Sequence, residues 1–556
     1  MAPSAKCADV YVGYPVPGSF SYRVPEGMEV VSGTRVKVNF GGRNITAFVH
    51  AVHDAPPPGV ELKNVLSVVD DAPVFDDRLI DLTRYVADFY LSSVGEALAT
   101  ALPSGERSSS RFKNPFQREE APGTVLSPEQ EEVYGRIAGD FSDGKLLHLL
   151  YGVTGSGKTE VYMELARMIM AAGGSVIYLV PEISLSAQIF RRLYNVFGDE
   201  LTVYHSRLTP NQRLYNWLRF YRGEARIAVG TRSAVFLQAP RLGMIVVDEE
   251  HDGSYKEHSA PRYNARRVAL HRSSTEGALL VMGSATPSVD TYYAAERGAF
   301  RLHKLTGRYG GSALPKIEIV GMEPGRTGDG LSAPLKLYSR KALDEGKQVI
   351  LLLNRRGFAP VLLCRDCGAV EECPDCGISL NYHREGVMVC HYCGLKKPVP
   401  LKCGACGSEA LVKLGSGTQR IESTVESTFR GVRVFRLDQD SARRRGAGPD
   451  MVEMMRTGEI DILLGTQMVA KGFDFQRVSL VGVVMADIGL NLPDFRASER
   501  IFSLLLQVSG RSGRRSEPGR VIIQTLNPDH YLFGFLKNHD YEGFYRHELE
   551  MRRLMN

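Results

Sequence analysis

At 146–162 the chain reads LLHLLYGVTGSGKTEVY: an apolar strand, a glycine-broken loop, then the start of a helix. No other stretch restricts the fold as strongly. The pattern G-x-x-x-x-G-K-T cradles phosphate only where a strand feeds directly into a helix N-terminus. Gly152, Gly155 and Gly157 let backbone N–H groups close around the phosphates, with Thr154 and Ser156 completing the loop. Lys158 is expected to reach the β- and γ-phosphates, and Thr159 to ligate Mg²⁺. Such a loop also arises by chance, so its partner decides the reading. That partner is LGMIVVDEEHD at 242–252, a buried strand ending in carboxylates. Asp248 is placed to hold Mg²⁺, and Glu249 to orient and deprotonate an attacking water. ATP with Mg²⁺ is therefore the expected cofactor.

A chain of 556 residues is too long for one core and implies about three or four domains. At 43% hydrophobic and 24% charged it has an ordinary globular composition, and a formal charge of +5 permits a nucleic-acid partner without requiring one. No apolar run reaches membrane-span length, and the opening MAPSAKCADV lacks the apolar core of a signal peptide. The expectation is a cytosolic protein without a membrane partner, in a compartment that keeps thiols reduced.

Eight of the nine cysteines lie between 364 and 406, spaced C-x2-C-x5-C-x2-C-x13-C-x2-C-x9-C-x2-C. A two-residue gap lets both thiolates of a doublet bind one metal from a tight turn, and glycine follows each doublet (Gly368, Gly377, Gly394, Gly407). Tetrahedral zinc takes four sulfurs, so eight make two closed, structural sites. Redox pairs and iron–sulfur ligation are the alternatives, and spacing alone leaves open which doublets pair.

Other segments fall in chain order. Gln130 in LSPEQEEVY precedes the phosphate loop, as in adenine-reading segments, though an ordinary helix start reads the same way. Strand–loop segments at 179–188, 204–208 and 229–236 have polar tips suited to a nucleic-acid backbone, and MGSATPS at 282–288 can couple the nucleotide site to a nucleic-acid groove. DILLGTQMVAKGFDF (461–475) and QVSGRSGR (507–514) lie past the cysteines; Arg511 and Arg514 share a helix face from which a γ-phosphate can be reached. This order resembles superfamily 2 helicases. The resemblance implies an α/β fold of two RecA-like lobes, the first at 126–325 and the second at 326–362 and 411–556, with the cysteines as a 363–410 insertion.

The combination of GVTGSGKTEVY, DEEHDGSYK…PRYNARRVA, NRRGFAP, four cysteine doublets and GTQMVAKGFDF is narrower, and resembles the PriA family from about 8 to 550. That resemblance implies a bacterial ATP-driven 3′→5′ DNA helicase, cytoplasmic and nucleoid-associated. Such a protein recognises stalled forks and D-loops and promotes primosome assembly on branched and single-stranded DNA, with primosome proteins and single-strand-binding protein as partners. It assigns two zinc ions, one to Cys364, Cys367, Cys403 and Cys406, the other to Cys373, Cys376, Cys390 and Cys393. It makes 251–267 an aromatic-rich loop in which Tyr255 and Tyr263 stack on bases while Lys256, Arg262 and Arg266 meet phosphates; the other reading packs the tyrosines under the lobe. It makes residues 1–105 a β-rich domain for a DNA 3′ end, with Phe20, Gly41 and Lys63 in the pocket. Ser21 stands where the family pattern has Asp, which weakens the expected grip on a 3′-hydroxyl. Gln419, Phe473 and Arg267 replace Glu, His and Asp of the pattern. Residues 106–125 read as a linker where the family carries a winged-helix domain, and the family's C-terminal domain would follow ELEMRRLMN. A chain without those domains suggests a second function: a fork-binding scaffold whose ATPase unwinds little.

Overall fold

The computed structural model describes residues 6–54, 61–106, 118, 125–181, 183–308, 314–322, 330–353, 361–364, 366–367, 369–383, 386–414, 418–437, 447–466, 475, 477–490, 494–511 and 519–554. NRRGFAP, Arg514, Gly368, Phe473 and most of the 106–125 linker lie outside the described residues, as does the side chain of Gln419.

The chain divides into two compact units. One holds the N-terminal domain and the first lobe up to Thr306, apart from two short loops; the other runs from Gly307. The N-terminal domain is a five-stranded antiparallel sheet in the spatial order Phe20–Arg23, Cys7–Val12, Arg43–His53, Arg35–Phe40, Val65–Val68. Alternation along its strands turns Ala8, Val10, Val36, Val38 and Val49 into one core. Strands Arg35–Phe40 and Arg43–His53 meet at Gly41-Gly42, whose φ values of 56° and 80° suit the left-handed two-residue hairpin turn. Helices Asp77–Tyr90 and Val94–Ala101 follow, each capped by a polar side chain, Asp76 and Ser93.

The first lobe is a seven-stranded parallel sheet in the order Arg301–Leu305, Leu147–Gly152, Leu279–Ser284, Leu242–Asp248, Ser175–Leu179, Ile227–Gly230, Leu201–Tyr204. Its inner strands, such as Ser175–Leu179 and Leu279–Ser284, are buried along their whole length and read as continuous runs, whereas the edge strand Arg301–Leu305 alternates. The N-terminal domain joins this lobe through buried polar contacts. Gln238 donates to the Asp76 carboxylate at 2.6 Å across the join, while within the domain Arg35 pairs with Asp70 at 2.6 Å and donates to the carbonyls of Pro103 and Gly105. Trp217, the only tryptophan, is fully buried and donates its indole N–H to Val74 O at 2.7 Å.

The second unit carries a six-stranded parallel sheet in the order Lys316–Gly321, Arg520–Thr525, Val478–Val483, Gln348–Leu352, Ile462–Gly465, Val434–Leu437. The expected lobe boundary at 325 therefore moves earlier, because Lys316–Gly321 lies parallel to Arg520–Thr525 in this sheet. The cysteine insertion is a separate sheet of five short strands. It is closed by antiparallel pairing of Val361–Cys364 with Leu411–Leu414, a few residues wider on each side than 363–410. Helices Tyr531–Lys537 and Tyr541–Leu554 end the described chain, with Phe544 stacked on Phe502 at 4.0 Å.

Candidate nucleotide, metal and DNA sites

The strand Leu147–Gly152 and the helix Lys158–Ala171 flank the phosphate loop as the sequence requires. Gly155 and Gly157 have φ of 82° and 80°, a region costly for residues with a Cβ, and Gly155 has open space where a Cβ would stand. Lys158 is buried and donates to Gly152 O at 2.8 Å, folding its ammonium back over the loop. Gln130 is also buried. Its side-chain oxygen accepts the Ser127 N–H in a capping box, and its amide nitrogen reaches Gly157 O at 3.4 Å. Its structural work is thus the helix start, with the phosphate loop as neighbour.

Parallel pairing places the end of the Leu242–Asp248 strand beside that of Ser175–Leu179. Asp248 accepts from the Tyr178 hydroxyl at 3.1 Å and from the N–H of Glu249 at 3.1 Å, and Tyr178 also bonds Thr159. Burial, then the neighbouring Glu249 charge, raises the Asp248 carboxyl to about 7, against the pull of Lys158. A carboxylate so starved of compensating charge fits a divalent cation, which Asp248 and Thr159 would hold together, supplying charge neutralisation to bound phosphate. Glu249 takes φ 48°, a left-handed backbone rare for a non-glycine residue, which turns its side chain out of the strand line.

Contacts made by His251, Ser284 and Glu250 organise this corner. His251 Nδ1 lies 2.6 Å from Ser284 Oγ and 3.7 Å from Glu249 Oε2. Ser284 Oγ in turn accepts the Thr286 N–H at 2.9 Å, so the carboxylate run and the SAT segment form one polar chain. Glu250 is fully buried and receives Arg266 at 2.5 Å and Thr291 at 3.0 Å. A Cβ at Gly283 would collide with the Tyr162 hydroxyl, so that glycine makes the room for the ring.

The aromatic-rich loop departs from the expected base platform. Tyr255 and Tyr263 are each 1% exposed. The Tyr255 hydroxyl donates to Asp248 O at 2.6 Å, and Tyr263 packs edge-on against Phe236. Neither ring has a face open to a base, so both brace the loop from beneath. Arg266 is likewise committed to Glu250. Arg262 is exposed, and Lys256 bonds Arg262 O and lies 5.0 Å from the centre of the Tyr90 ring. The N-terminal domain's helix grips this segment: Tyr85 stacks on His271 at 3.6 Å, Arg267 lies over Phe89 at 4.8 Å, and the Tyr90 hydroxyl accepts the Asn264 N–H. Arg511 is buried, but it lies past the C-cap Gly510 of helix Ala497–Ser509 and so not on the helix face expected for it.

In the N-terminal sheet, Phe20 meets Phe40 edge-on at 5.0 Å next to Gly41, and Lys63 donates to Asn39 at 3.3 Å. Phe20, Gly41 and Lys63 thus gather at one end of the sheet. Ser21 lies across from Asp9 and donates to its carboxylate at 2.5 Å, with His53 at 3.2 Å on the other oxygen. The carboxylate missing at 21 is present on the adjacent strand.

The eight thiols form two clusters, Cys364, Cys367, Cys403, Cys406 and Cys373, Cys376, Cys390, Cys393, each with all sulfurs within 4.8 Å of one another. This is the outer-with-outer, inner-with-inner pairing. Three of the doublets share one turn: the N–H of Gly377, Gly394 and Gly407 donates to Cys373, Cys390 and Cys403 O, with φ of 63°, 79° and 73°. Backbone N–H groups of the turns pull the Cys390 and Cys403 thiols down to about 7, while neighbouring sulfurs push Cys376 and Cys406 up to about 12, so each cluster has one thiol ready as thiolate beside one that holds its proton. Four sulfurs converging from short turns fit tetrahedral zinc.

Three family profiles match the chain: the PriA 3′ DNA-binding domain at 9–103, the DEAD/DEAH box helicase at 127–294, and the PriA DNA helicase Cys-rich region at 373–398. The replication restart protein PriA of Treponema pallidum is 41% identical over 97% of this chain and 83% of its own length. That of Haemophilus influenzae is 34% identical over 99% and 86%. That of Bacillus subtilis is 43% identical over 80% and 56%. The chain belongs to the PriA family. It is a replication-restart DNA helicase driven by ATP, with the family's cysteine-rich region. Among the described residues, no helix is long and apolar enough to cross a membrane.

Proposed function

We propose that the chain hydrolyses ATP with Lys158 on the phosphates, Thr159 and Asp248 holding Mg²⁺, and Glu249 activating water, while Arg511 and Arg514 compensate charge on the γ-phosphate. The energy moves it 3′→5′ along single-stranded DNA and opens duplex at stalled forks and D-loops, preparing them for primosome proteins and single-strand-binding protein in the bacterial cytoplasm. The cysteine clusters hold two zinc ions. The observation that carries this reading is the polar chain from Glu249 through His251 to Ser284 and Thr286. It gives the hydrolytic carboxylate a physical route to the strand-end segment proposed to sense DNA. The 3′-end pocket is read as Phe20, Gly41 and Lys63 with the Asp9–Ser21 pair, and Arg262 and Lys256 as phosphate contacts.

Strand displacement from a forked duplex tests this. Product is expected with ATP and not with a non-hydrolysable analogue. Vigorous DNA-stimulated hydrolysis with no displacement on any fork would leave the scaffold function standing instead.

A further inference from the structure

A third group of ligand atoms converges in the first lobe, away from the phosphate loop and the cysteines. Asp140, His148 and His303 bring a carboxylate oxygen and two ring nitrogens within 4.8 Å of one another. The sheet explains two of them. Strands Leu147–Gly152 and Arg301–Leu305 run parallel with Arg301 opposite His148 and His303 opposite Leu150, so both imidazoles stand on one face. Helix Pro128–Ser142 packs over that strand edge and brings Asp140 in its last turn. His148 is fully buried and His303 is 6% exposed.

The hydrogen bonds fix the tautomers. His148 Nε2 lies 3.0 Å from Lys145 O. A carbonyl only accepts, so the proton is on Nε2 and the Nδ1 lone pair faces inward. His303 Nε2 lies 3.0 Å from that Nδ1. An imidazole with one N–H anchored on a carbonyl and its other nitrogen turned to a second ligand is the arrangement found at metal-bound histidines. Tetrahedral bonds of about 2.05 Å separate two nitrogens by about 3.3 Å, so the pair needs to open only a few tenths of an ångström. Burial holds both rings neutral, with lone pairs in hand. Asp140 accepts from Lys145 Nζ at 2.8 Å, which stabilises its ionised form and leaves lone pairs to spare.

We propose that Asp140, His148 and His303 form a divalent transition-metal site, independent of the cysteine clusters. Two imidazoles and one carboxylate suit zinc and its neighbours rather than Mg²⁺. Water fills the fourth position from the part-exposed Asp140 side. Binding shifts the His303 proton from Nε2 to Nδ1 and releases none from His148. The ion ties helix Pro128–Ser142, which carries Gln130, to the strand that enters the phosphate loop.

The test is zinc content and zinc-edge X-ray absorption on the full chain, equilibrated with zinc and dialysed into metal-free buffer. The parent is expected to hold one zinc per chain more than Asp140→Ala or His303→Gln. Its spectrum is expected to show nitrogen or oxygen scatterers near about 2.0 Å beside sulfur near about 2.3 Å, the shorter shell vanishing in the variants. Asp140 is part-exposed, so Asp140→Ala removes a ligand without opening the core, and its circular dichroism checks the fold should His303→Gln misfold. Equal zinc content in parent and variants, or a sulfur-only spectrum in the parent, overturns the proposal and leaves a hydrogen-bonded histidine pair.

Discussion

Glu249 holds a left-handed backbone beside an Asp248 carboxyl that burial has raised to about 7. Strain and unmet charge collect where chemistry needs them. Replacing Lys158 by Ala is expected to lower ATP turnover by at least ~100-fold, and Glu249→Gln to do the same while nucleotide binding persists, read by steady-state ATPase and fluorescent-nucleotide titration. Turnover at the parent rate in Glu249→Gln would show that another group activates water. The Asp248 shift carries a pH dependence. Its folded value lies above the ordinary 3.8, so between the two the folded chain keeps a proton that the unfolded chain has lost, and stability falls as pH rises through that window. A cation at Asp248 relieves this only where the proton leaves. The rise in Tm on adding Mg²⁺-nucleotide is therefore expected to be larger at about pH 8 than at about pH 5.5, and Asp248→Asn to flatten the difference. Equal rises in the parent would count against cation binding at this carboxylate.

At the scale of elements, two units have little room for compromise. The cysteine insertion encloses a core of Leu362, Leu380, Met388 and two cysteines, too few apolar groups to order five short strands unaided. Metal binding is expected to supply on the order of 10 kcal/mol per site of its folding free energy. Cys373→Ser should therefore lose one metal and impair fork unwinding far more than DNA-stimulated ATP hydrolysis, both measured on the same metal-counted protein. A parallel fall in both activities would make the insertion part of the engine. The Arg35–Asp70 pair is the second. Both residues are buried, and Arg35 also holds the Pro103 and Gly105 carbonyls at the end of the domain. Asp70→Ala leaves that guanidinium without its counter-charge and is expected to cost roughly 3–5 kcal/mol, read from chemical denaturation. A loss under ~1 kcal/mol would show that the carbonyls suffice.

Across the whole molecule the issue is how DNA is read. Phosphate contacts should dominate, so affinity for a forked substrate is expected to fall steeply between low and physiological salt. From Ser21 alone, weak discrimination of the 3′ end is expected. The Ser21 hydrogen bond to Asp9 changes that expectation, because the pair restores a charged acceptor at the position. Binding to a 3′-hydroxyl fork should then exceed binding to a 3′-phosphate fork, and Asp9→Asn should narrow the gap. Equal affinities in the parent would assign the pocket no role in reading the terminus.

The parts whose chemistry is local can be read straight from the residue order. The phosphate loop needs its glycines and lysine in fixed order on one strand–helix junction, and a cysteine doublet needs its two-residue turn, so both were legible without neighbours. Which doublets pair was not legible from spacing; the resemblance supplied it, and the closing pairing of Val361–Cys364 with Leu411–Leu414 gives the geometric reason, since it brings the outer doublets together. Tyr255 and Tyr263 read first as base platforms and only second as packing, because a tyrosine's burial depends on what lies above it; here the loop folds over Leu179, Asp248 and Phe236 and hides both rings. The boundary near 325 moved for the same reason: a strand's sheet is chosen by its partner, and Lys316–Gly321 finds that partner about two hundred residues later at Arg520–Thr525. Glu250 and His251 stand inside the DEEHD run, but nothing local names their partners Thr291 and Ser284, and the histidine pair carries no motif at all. Only tertiary structure assembled them, because parallel strands bring residues distant in sequence onto one face, and no local pattern encodes that juxtaposition.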